Sequence, residues 1–220
     1  MIFEENATLL FAGDSITDAN RNRDALPGGW SSWGEGYVSL INALLIALYP
    51  EKRWTIINQG ISGNRVTDLS DRWNRDILTM NPDWITIMIG INDVWRHFDD
   101  AIFRKENQVT QEVFVSHYKE IIEKSLSNQN VKGVILLSAF MIENNLSDPM
   151  RLKLDAYNYI TKKLAEQYDL IYIDVQSYFD HFLVKTPSGV LSLDRVHPSL
   201  AGHTLIAKAW LDAVGFRWDK

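Results

Sequence analysis

Thr8-Leu9-Leu10-Phe11-Ala12-Gly13-Asp14-Ser15-Ile16-Thr17-Asp18 is the stretch from which the rest of the chain is read. Thr8 to Ala12 is apolar, too short for a helix and closed by a glycine, the pattern of a fully buried strand in a parallel sheet. Ser15 stands just past that strand's C-terminal edge, where open α/β sheets bind ligands. A serine on a tight strand-to-helix turn presents both its hydroxyl and its backbone N–H to a substrate, which makes Ser15 a candidate nucleophile. Taken alone, Gly13-Asp14-Ser15 reads more simply as turn chemistry, with glycine for positive φ and Asp or Ser capping the next helix. The residues that favour the catalytic reading lie further along.

Strand and helix patterns alternate from there to the C-terminus. Tyr37 to Leu48 has the length and apolar content of a helix and is stopped by Pro50. Trp54 to Asn58 reads as a second strand, with Gln59 to Asn64 as the loop leaving it and a helix around Val66 to Leu78 capped by Thr67 or Asn64. Asp83 to Ile89 is a third strand, followed by the polar loop Gly90-Ile91-Asn92-Asp93 and a mixed aromatic and charged excursion from Val94 to Val109 with a helical turn or two. Thr110 and an acidic first turn open the next helix. Gly133 to Ala139 is a fourth strand, Pro149 opens a long helix to about Tyr168, Leu170 to Val175 is a fifth strand, and helices follow over Gln176 to Lys185 and Leu200 to Val214. The architecture expected is an α/β fold with a five-stranded parallel sheet covered on both faces, because parallel sheets joined by right-handed crossovers bury both sides.

The bulk numbers agree with one domain spanning residues 1–220. The chain is 46% hydrophobic, enough for a substantial core, and nothing marks a linker. A net charge of -6 leaves no basic patch to neutralise nucleic acid or an anionic membrane, so neither is expected as a partner. Zero cysteines exclude disulfides, thiol catalysis and zinc-thiolate sites. The first residues have neither the basic start nor the apolar core of a signal peptide, and no apolar run is long enough to cross a bilayer, which makes the cytoplasm the default expectation. No clustered histidine and carboxylate spacing calls for a metal, and no cofactor is expected.

Four loops should emerge together at the C-terminal edge of such a sheet, carrying Ser15, Gly63, Asn92, and Asp194 with His197. Acyl transfer from an ester needs a nucleophilic oxygen, a base near neutrality, a carboxylate to fix the imidazole tautomer, and donors aimed at the oxyanion. Ser15 fits the first role, His197 the second and Asp194, three residues earlier on the same loop, the third. The N–H groups of Ser15 and Gly63 with the Asn92 amide fit the fourth. Each piece has a plainer reading, a tight turn for Gly63, an Asx turn for Asn92 and a helix cap for Asp-x-x-His. Their order and placement together carry the inference. The other histidines, His97, His117, His181 and His203, lack an Asp three residues before and read as packing or surface residues.

Gly13-Asp14-Ser15, Gly63 in Gly60-Ile61-Ser62-Gly63, Asn92 in Gly90-Ile91-Asn92-Asp93, and Asp194-Arg195-Val196-His197 resemble the four blocks of the SGNH (GDSL) hydrolases, in that family's order. The resemblance implies a flavodoxin-like three-layer sandwich of strand order 2-1-3-4-5 and a Ser-His-Asp esterase. Leu10 to Asp18, Asp83 to Arg96, Asp148 to Arg151 and Asp194 to His203 are similar to the intracellular acetylesterases that deacetylate xylo-oligosaccharides. This closer resemblance implies an intracellular homo-oligomer acting on acetylated sugars. It also marks a departure, since Leu191-Ser192-Leu193 stands where those enzymes carry a tryptophan ahead of the Asp.

An acetyl-sugar esterase needs a rim that holds a carbohydrate. Asp14, Trp30, Trp33, Trp95 and Arg96 are the candidates, since indole faces stack on pyranose C–H faces and arginine donates to hydroxyls. Packing or subunit contacts account for the tryptophans equally simply, and Arg96 could pair with Asp99 or Asp100. Two other functions compete: a lysophospholipase or acyl-thioesterase using the same site on longer chains, and a flavodoxin-like nucleotide- or sugar-binding module without catalysis. The nucleotide version lacks both a phosphate loop and a Rossmann fingerprint.

Overall fold

The structure, a computed structural model, describes residues 1–99 and 108–218. Its five strands are β1 (Thr8–Gly13), β2 (Thr55–Gly60), β3 (Trp84–Met88), β4 (Gly133–Leu137) and β5 (Ile171–Ile173), all parallel in the order β2-β1-β3-β4-β5. The helices are α1 (Ser15–Asp18), α2 (Tyr37–Leu48), α3 (Val66–Asp71), α4 (Ile91–Trp95), α5 (Gln111–Leu126), α6 (Pro149–Gln167), α7 (Val175–Leu183) and α8 (Leu200–Ala213). The strand order is the one the family resemblance implies. Its direction reverses between β1 and β3, so the loops after these two strands open side by side, and such a switch point is where parallel sheets hold ligands.

β1 is central, and its continuous apolar run is explained by burial on both sides. Leu9, Leu10, Phe11 and Ala12 are all buried, with Leu10 in register between Ile57 and Ile85. On one face α2, α7 and α8 pack together, and on the other α3 packs on α5 and α6 on α4 and α5. The first face is aromatic. Phe11 meets Tyr37 and Trp210 at ring-centroid distances of 5.8 and 5.2 Å, and the Trp210 indole N–H donates to the Thr86 hydroxyl at 3.0 Å. Burying a ring of this kind stabilises the fold by roughly 1.5–3 kcal/mol, and truncating one to alanine costs about 3–5 kcal/mol. Gly13 ends the strand for a steric reason: a Cβ there would collide with the Met88 carbonyl oxygen and the Thr17 hydroxyl.

Several boundaries depart from the sequence expectation, β3, β4 and β5 ending one or two residues early among them. β2 runs two residues past Asn58, because pairing with β1 continues to Gly13 opposite Gly60. The Asn58 amide is turned inward and donates to the Thr17 and Trp33 carbonyls at 2.6 and 2.8 Å. The helix expected over Val66 to Leu78 divides into α3, a wide π turn over Trp73–Ile77 and a 3-10 turn over Leu78–Met80. Arg72 and Trp73, where α3 gives way to the π turn, are both buried. The Arg72 guanidinium donates to the Gln59 and Gly13 carbonyls at 2.9 and 3.3 Å, and the Trp73 indole to the Ser125 hydroxyl at 3.2 Å. Neither Thr67 nor Asn64 caps α3. Arg65 holds that position, its N–H donating to the Asp68 carboxylate at 2.9 Å, and Asp93 accepts the next N–H, that of Val66. Of the excursion expected over Val94 to Val109, residues 100–107 lie outside the described residues, and its opening turn is the end of α4.

Candidate active site

Ser15 is the first residue of α1, directly after the β1 turn, and Asp14 caps that helix by accepting the Ile16 N–H at 3.0 Å. The Ser15 hydroxyl lies 2.9 Å from His197 Nε2. His197 Nδ1 lies 2.6 Å from Asp194 Oδ2, so three side chains that are far apart in sequence form one hydrogen-bonded relay. The other oxygen, Asp194 Oδ1, accepts from the backbone N–H groups of His197 and Val196 at 2.8 and 3.0 Å and from the Ser192 hydroxyl at 3.0 Å. Partial burial pushes the Asp194 carboxyl up, but the His197 ring, these two N–H groups and Ser192 outweigh it and hold the group well below the usual carboxylate range. It is therefore an anion wherever the enzyme is folded near neutrality.

The loop that carries this pair is anchored through its middle residue. Arg195 adopts a left-handed φ of 69°, which turns the chain so that Asp194 can accept both following N–H groups. Its guanidinium donates to Glu143 and Asp148 at 2.7 and 3.0 Å, and its carbonyl accepts the Ile142 N–H at 2.8 Å. Asp148 is also the cap of α6, so the Asp-His loop is tied to the segment between β4 and that helix.

The loops after β2 and β3 are bonded to each other. Gly63 has a φ of 83°, a left-handed conformation that explains the glycine. The Asn92 amide donates to the Asn64 carbonyl at 3.1 Å, while Asn64 Oδ1 accepts from Arg72 Nε at 2.8 Å. Burial lowers the Arg72 pKa to about 10, still charged at neutral pH, and the residue ties this loop to the ends of β1 and β2. Asp93, fully buried beside Asn92, accepts the Val66 N–H with both oxygens, at 3.0 and 3.2 Å. Burial pushes both Asp93 and Asp14 up to about 7, and the Asp14 charge raises Asp93 further.

Among the expected rim residues the structure distinguishes several places. Trp95 has its ring centroid 6.0 Å from that of His197. Arg96 donates to the Gly63 carbonyl at 2.6 Å, bracing the loop, and Asp100, one of its expected partners, lies outside the described residues. Asp14 is buried and its carboxylate accepts the Ile16 N–H. Trp33 is half-buried and donates to the Ile56 carbonyl at 2.8 Å, a packing role that follows from its need to satisfy the indole N–H. Trp30 is 91% exposed on its loop. A cleft of about 910 Å³ opens in front of Ser15 and His197, with Asn20, Arg21, Arg23 and Glu35 in its walls. His203 also lines it. The Tyr37 N–H donates to His203 Nδ1 at 3.2 Å, which puts the imidazole proton on Nε2, and burial lowers its pKa to about 4. Among the described residues no cluster of three or more histidine, aspartate or glutamate side chains is placed to hold a metal ion.

In the sequence Arg72, Asp93 and Arg195 carried no role of their own, and Asn64 only that of a helix cap. Only Arg72 left a signal there, a charged residue on the buried side of a helical pattern between Leu69 and Trp73.

A hydroxyl, an imidazole and a carboxylate joined in series at the C-terminal edge of a 2-1-3-4-5 parallel sheet define an α/β hydrolase that works on esters. The chain belongs to the GDSL-like lipase/acylhydrolase family, whose model matches residues 11–205, and it is a carboxylic ester hydrolase. It is 43% identical over 210 residues to an acetylxylan esterase of Geobacillus stearothermophilus, covering 96% of this chain and 94% of the relative. The crystal structure of that organism's acetylxylan esterase Axe2 superimposes with a TM-score of 0.95 at 41% identity, over 100% of this chain and 99% of the other. Catalytic mutants of Axe2 with a serine, a histidine or an aspartate changed to alanine have the same fold. LAE5, an α/β hydrolase from the metagenome of Lake Arreo in Spain, matches with a TM-score of 0.92 at 41% identity over 97% of each chain.

Proposed function

We propose that this esterase removes acetyl groups from acetylated carbohydrates, xylo-oligosaccharides above all, through an acetyl-enzyme on Ser15. The observation that carries the reading is the unbroken Ser15, His197, Asp194 relay opening on a polar cleft, in a chain 43% identical to an acetylxylan esterase.

Ser15 Oγ attacks the acetyl carbonyl carbon as His197 Nε2 takes the hydroxyl proton. Asp194 keeps the Nδ1 proton in place and stabilises the imidazolium that forms. The carbonyl oxygen, now an oxyanion, is held by the N–H groups of Ser15 and Gly63 and by the Asn92 amide, whose second N–H is left for it. The tetrahedral intermediate collapses by expelling the sugar oxygen, which receives the proton from His197. Water then attacks the acetyl carbon with His197 again as base, and acetate leaves as Ser15 regains its proton. Trp95, next to His197, is the aromatic residue best placed to contact the acyl acceptor.

The enzyme works as one domain and, in this reading, as a cytoplasmic homo-oligomer. The similarity to intracellular acetylesterases supports the location. Among the described residues no helix is long and apolar enough to cross a membrane. Leu26, Trp30 and Leu193, exposed by 82, 91 and 99%, support the oligomer as side chains that a second copy would cover. Light scattering on the purified protein tests it, and a monomer at micromolar concentration would refute it. The substrate reading is tested by comparing p-nitrophenyl acetate with the octanoate ester, and acetylated xylo-oligosaccharide with a lysophospholipid. Preference for acetate and release of acetate from the sugar are expected, while higher kcat/KM on octanoate or turnover of the lipid alone would overturn it.

A further inference from the structure

We propose that the cleft beside Ser15 contains a carboxylate-binding subsite built on Arg21, and that it selects acetylated oligosaccharides carrying a uronic acid close to the ester. The proposal rests on the reading of this protein as a carbohydrate acetylesterase and specifies the acyl acceptor.

Arg21 lies six residues beyond Ser15, past the single turn of α1, and reaches the C-terminal end of β2, the strand next to β1. Its Nε donates to the Gly60 carbonyl at 2.9 Å and its Nη2 to Gln59 Oε1 at 3.3 Å. Both acceptors are neutral. The guanidinium is half-buried in the cleft wall, no carboxylate lies within ion-pair distance of it among the described residues, and the rest of its donor fork has no acceptor there. A cation held partly out of water on neutral partners keeps a desolvation cost that an incoming anion would offset. Fixed by two hydrogen bonds, the planar fork is already oriented for the bidentate geometry that carboxylates favour.

The nearby carboxylates do not supply that anion. Asp18 is paired with Arg23 and also accepts the Ser62 N–H at 3.0 Å and the Arg21 N–H at 3.3 Å. Glu35 accepts from the Asn20 amide at 3.2 Å. Behind the wall Asp76 is shared by Arg72 and Arg75, at 3.8 and 2.7 Å. Of the two arginines in the cleft wall, Arg23 has a carboxylate partner and Arg21 has neutral ones. Arg21 thus faces the cleft that opens at Ser15, and the cleft is far larger than an acetyl group. A substrate whose acetyl carbon sits at Ser15 extends its acceptor sugar into that space, and a carboxylate on the sugar or on its neighbour reaches Arg21.

The test is a ratio measured within each protein. kcat/KM is determined at low ionic strength for an acetylated xylo-oligosaccharide with a uronic acid branch and for the same oligosaccharide without it. The wild-type enzyme should favour the acidic substrate by about tenfold, the scale of one charge-assisted contact. Arg21→Gln should bring the ratio close to one, Arg21→Lys should restore part of it, and Arg75→Gln, which removes an exposed charge outside the cleft walls, should leave it in place. A wild-type ratio of one, a ratio that survives Arg21→Gln, or an equal loss in Arg75→Gln would overturn the subsite. Failure to release acetate from either oligosaccharide while p-nitrophenyl acetate is still hydrolysed would instead overturn the carbohydrate reading beneath it.

Discussion

The Arg96 guanidinium donates to the Gly63 carbonyl oxygen at 2.6 Å. A residue that sequence alone suggests for binding sugar thus braces the loop whose N–H is proposed to face the oxyanion. Arg96→Ala should therefore lower kcat by about tenfold, the loss of one charge-assisted hydrogen bond acting on the transition state, with KM little changed. Arg96→Lys should recover part of the rate. Steady-state kinetics on p-nitrophenyl acetate decide the matter, because a rise in KM at constant kcat would make Arg96 a substrate contact after all.

Ser15→Ala should fold normally, since the change removes one oxygen at a partly exposed position, and should lose at least about a thousandfold in kcat. Asn92→Ala should cost less, about 3 kcal/mol in the barrier, as one oxyanion donor does. Circular dichroism alongside the kinetics separates lost chemistry from lost structure. Turnover near the wild-type rate in a folded Ser15→Ala protein would sink the mechanism.

Asp93 is raised to about 7 by burial, against 3.8 for the free group. Between those values the native state binds more protons than the unfolded chain, so this residue's contribution to stability is complete at low pH and is lost as pH rises through 7. Asp93→Asn removes the titration while keeping an oxygen to accept the Val66 N–H. The difference between the Tm at about pH 8 and the Tm at about pH 5 should become more positive by a few degrees. An unchanged difference would show that Asp93 is ionised in the native protein at both values.

His203 works with the opposite sign. Its native pKa is lowered to about 4 from 6.5 by burial, so as pH falls through that interval the unfolded chain takes up a proton that the native state refuses. Stability supplied by the neutral ring is present above 6.5 and lost on the way to 4. His203→Gln, which has no such titration, should make the same Tm difference less positive, and thermal scans of both variants in one buffer series should show the two shifts in opposite directions. Shifts of the same sign would refute one of the two assignments.

How much of this was open to reading in the chain depended on the range of the interaction. All five strands and the main helices were legible because burial on both faces leaves an apolar run, as at Leu9 to Ala12, and because start signals such as the Thr110 cap and Pro149 act on their own neighbours. Ser15, Gly63 and Asn92 were legible as residues just past the first three strands, and Asp194 with His197 as a pair ahead of the last helix. The parts that stayed hidden are held by partners distant in sequence. Arg72 finds the carbonyls of Gly13 and Gln59, and Arg195 finds Glu143 and Asp148, contacts that no local pattern records. The π turn was hidden for the same reason, since the partners of Arg72 and Trp73 at its start, Gly13, Gln59 and Ser125, lie elsewhere in the chain. Trp33 and Arg96 were read as rim residues because their side chains suit carbohydrate, while the structure gives their donors to the Ile56 and Gly63 carbonyls.

Ser15 and His197 are separated by 182 positions along the chain, and the loop bearing His197 is moored to the segment ahead of α6. During synthesis the nucleophile leaves the ribosome when its base has not yet been made. Ester hydrolysis therefore reports the completion of folding rather than its onset: until the His197 loop arrives, Ser15 has no base. The return of activity on refolding, followed against the return of tryptophan fluorescence from the Phe11 and Trp210 cluster, would time the arrival of the His197 loop at Ser15 against the docking of α8 on β1.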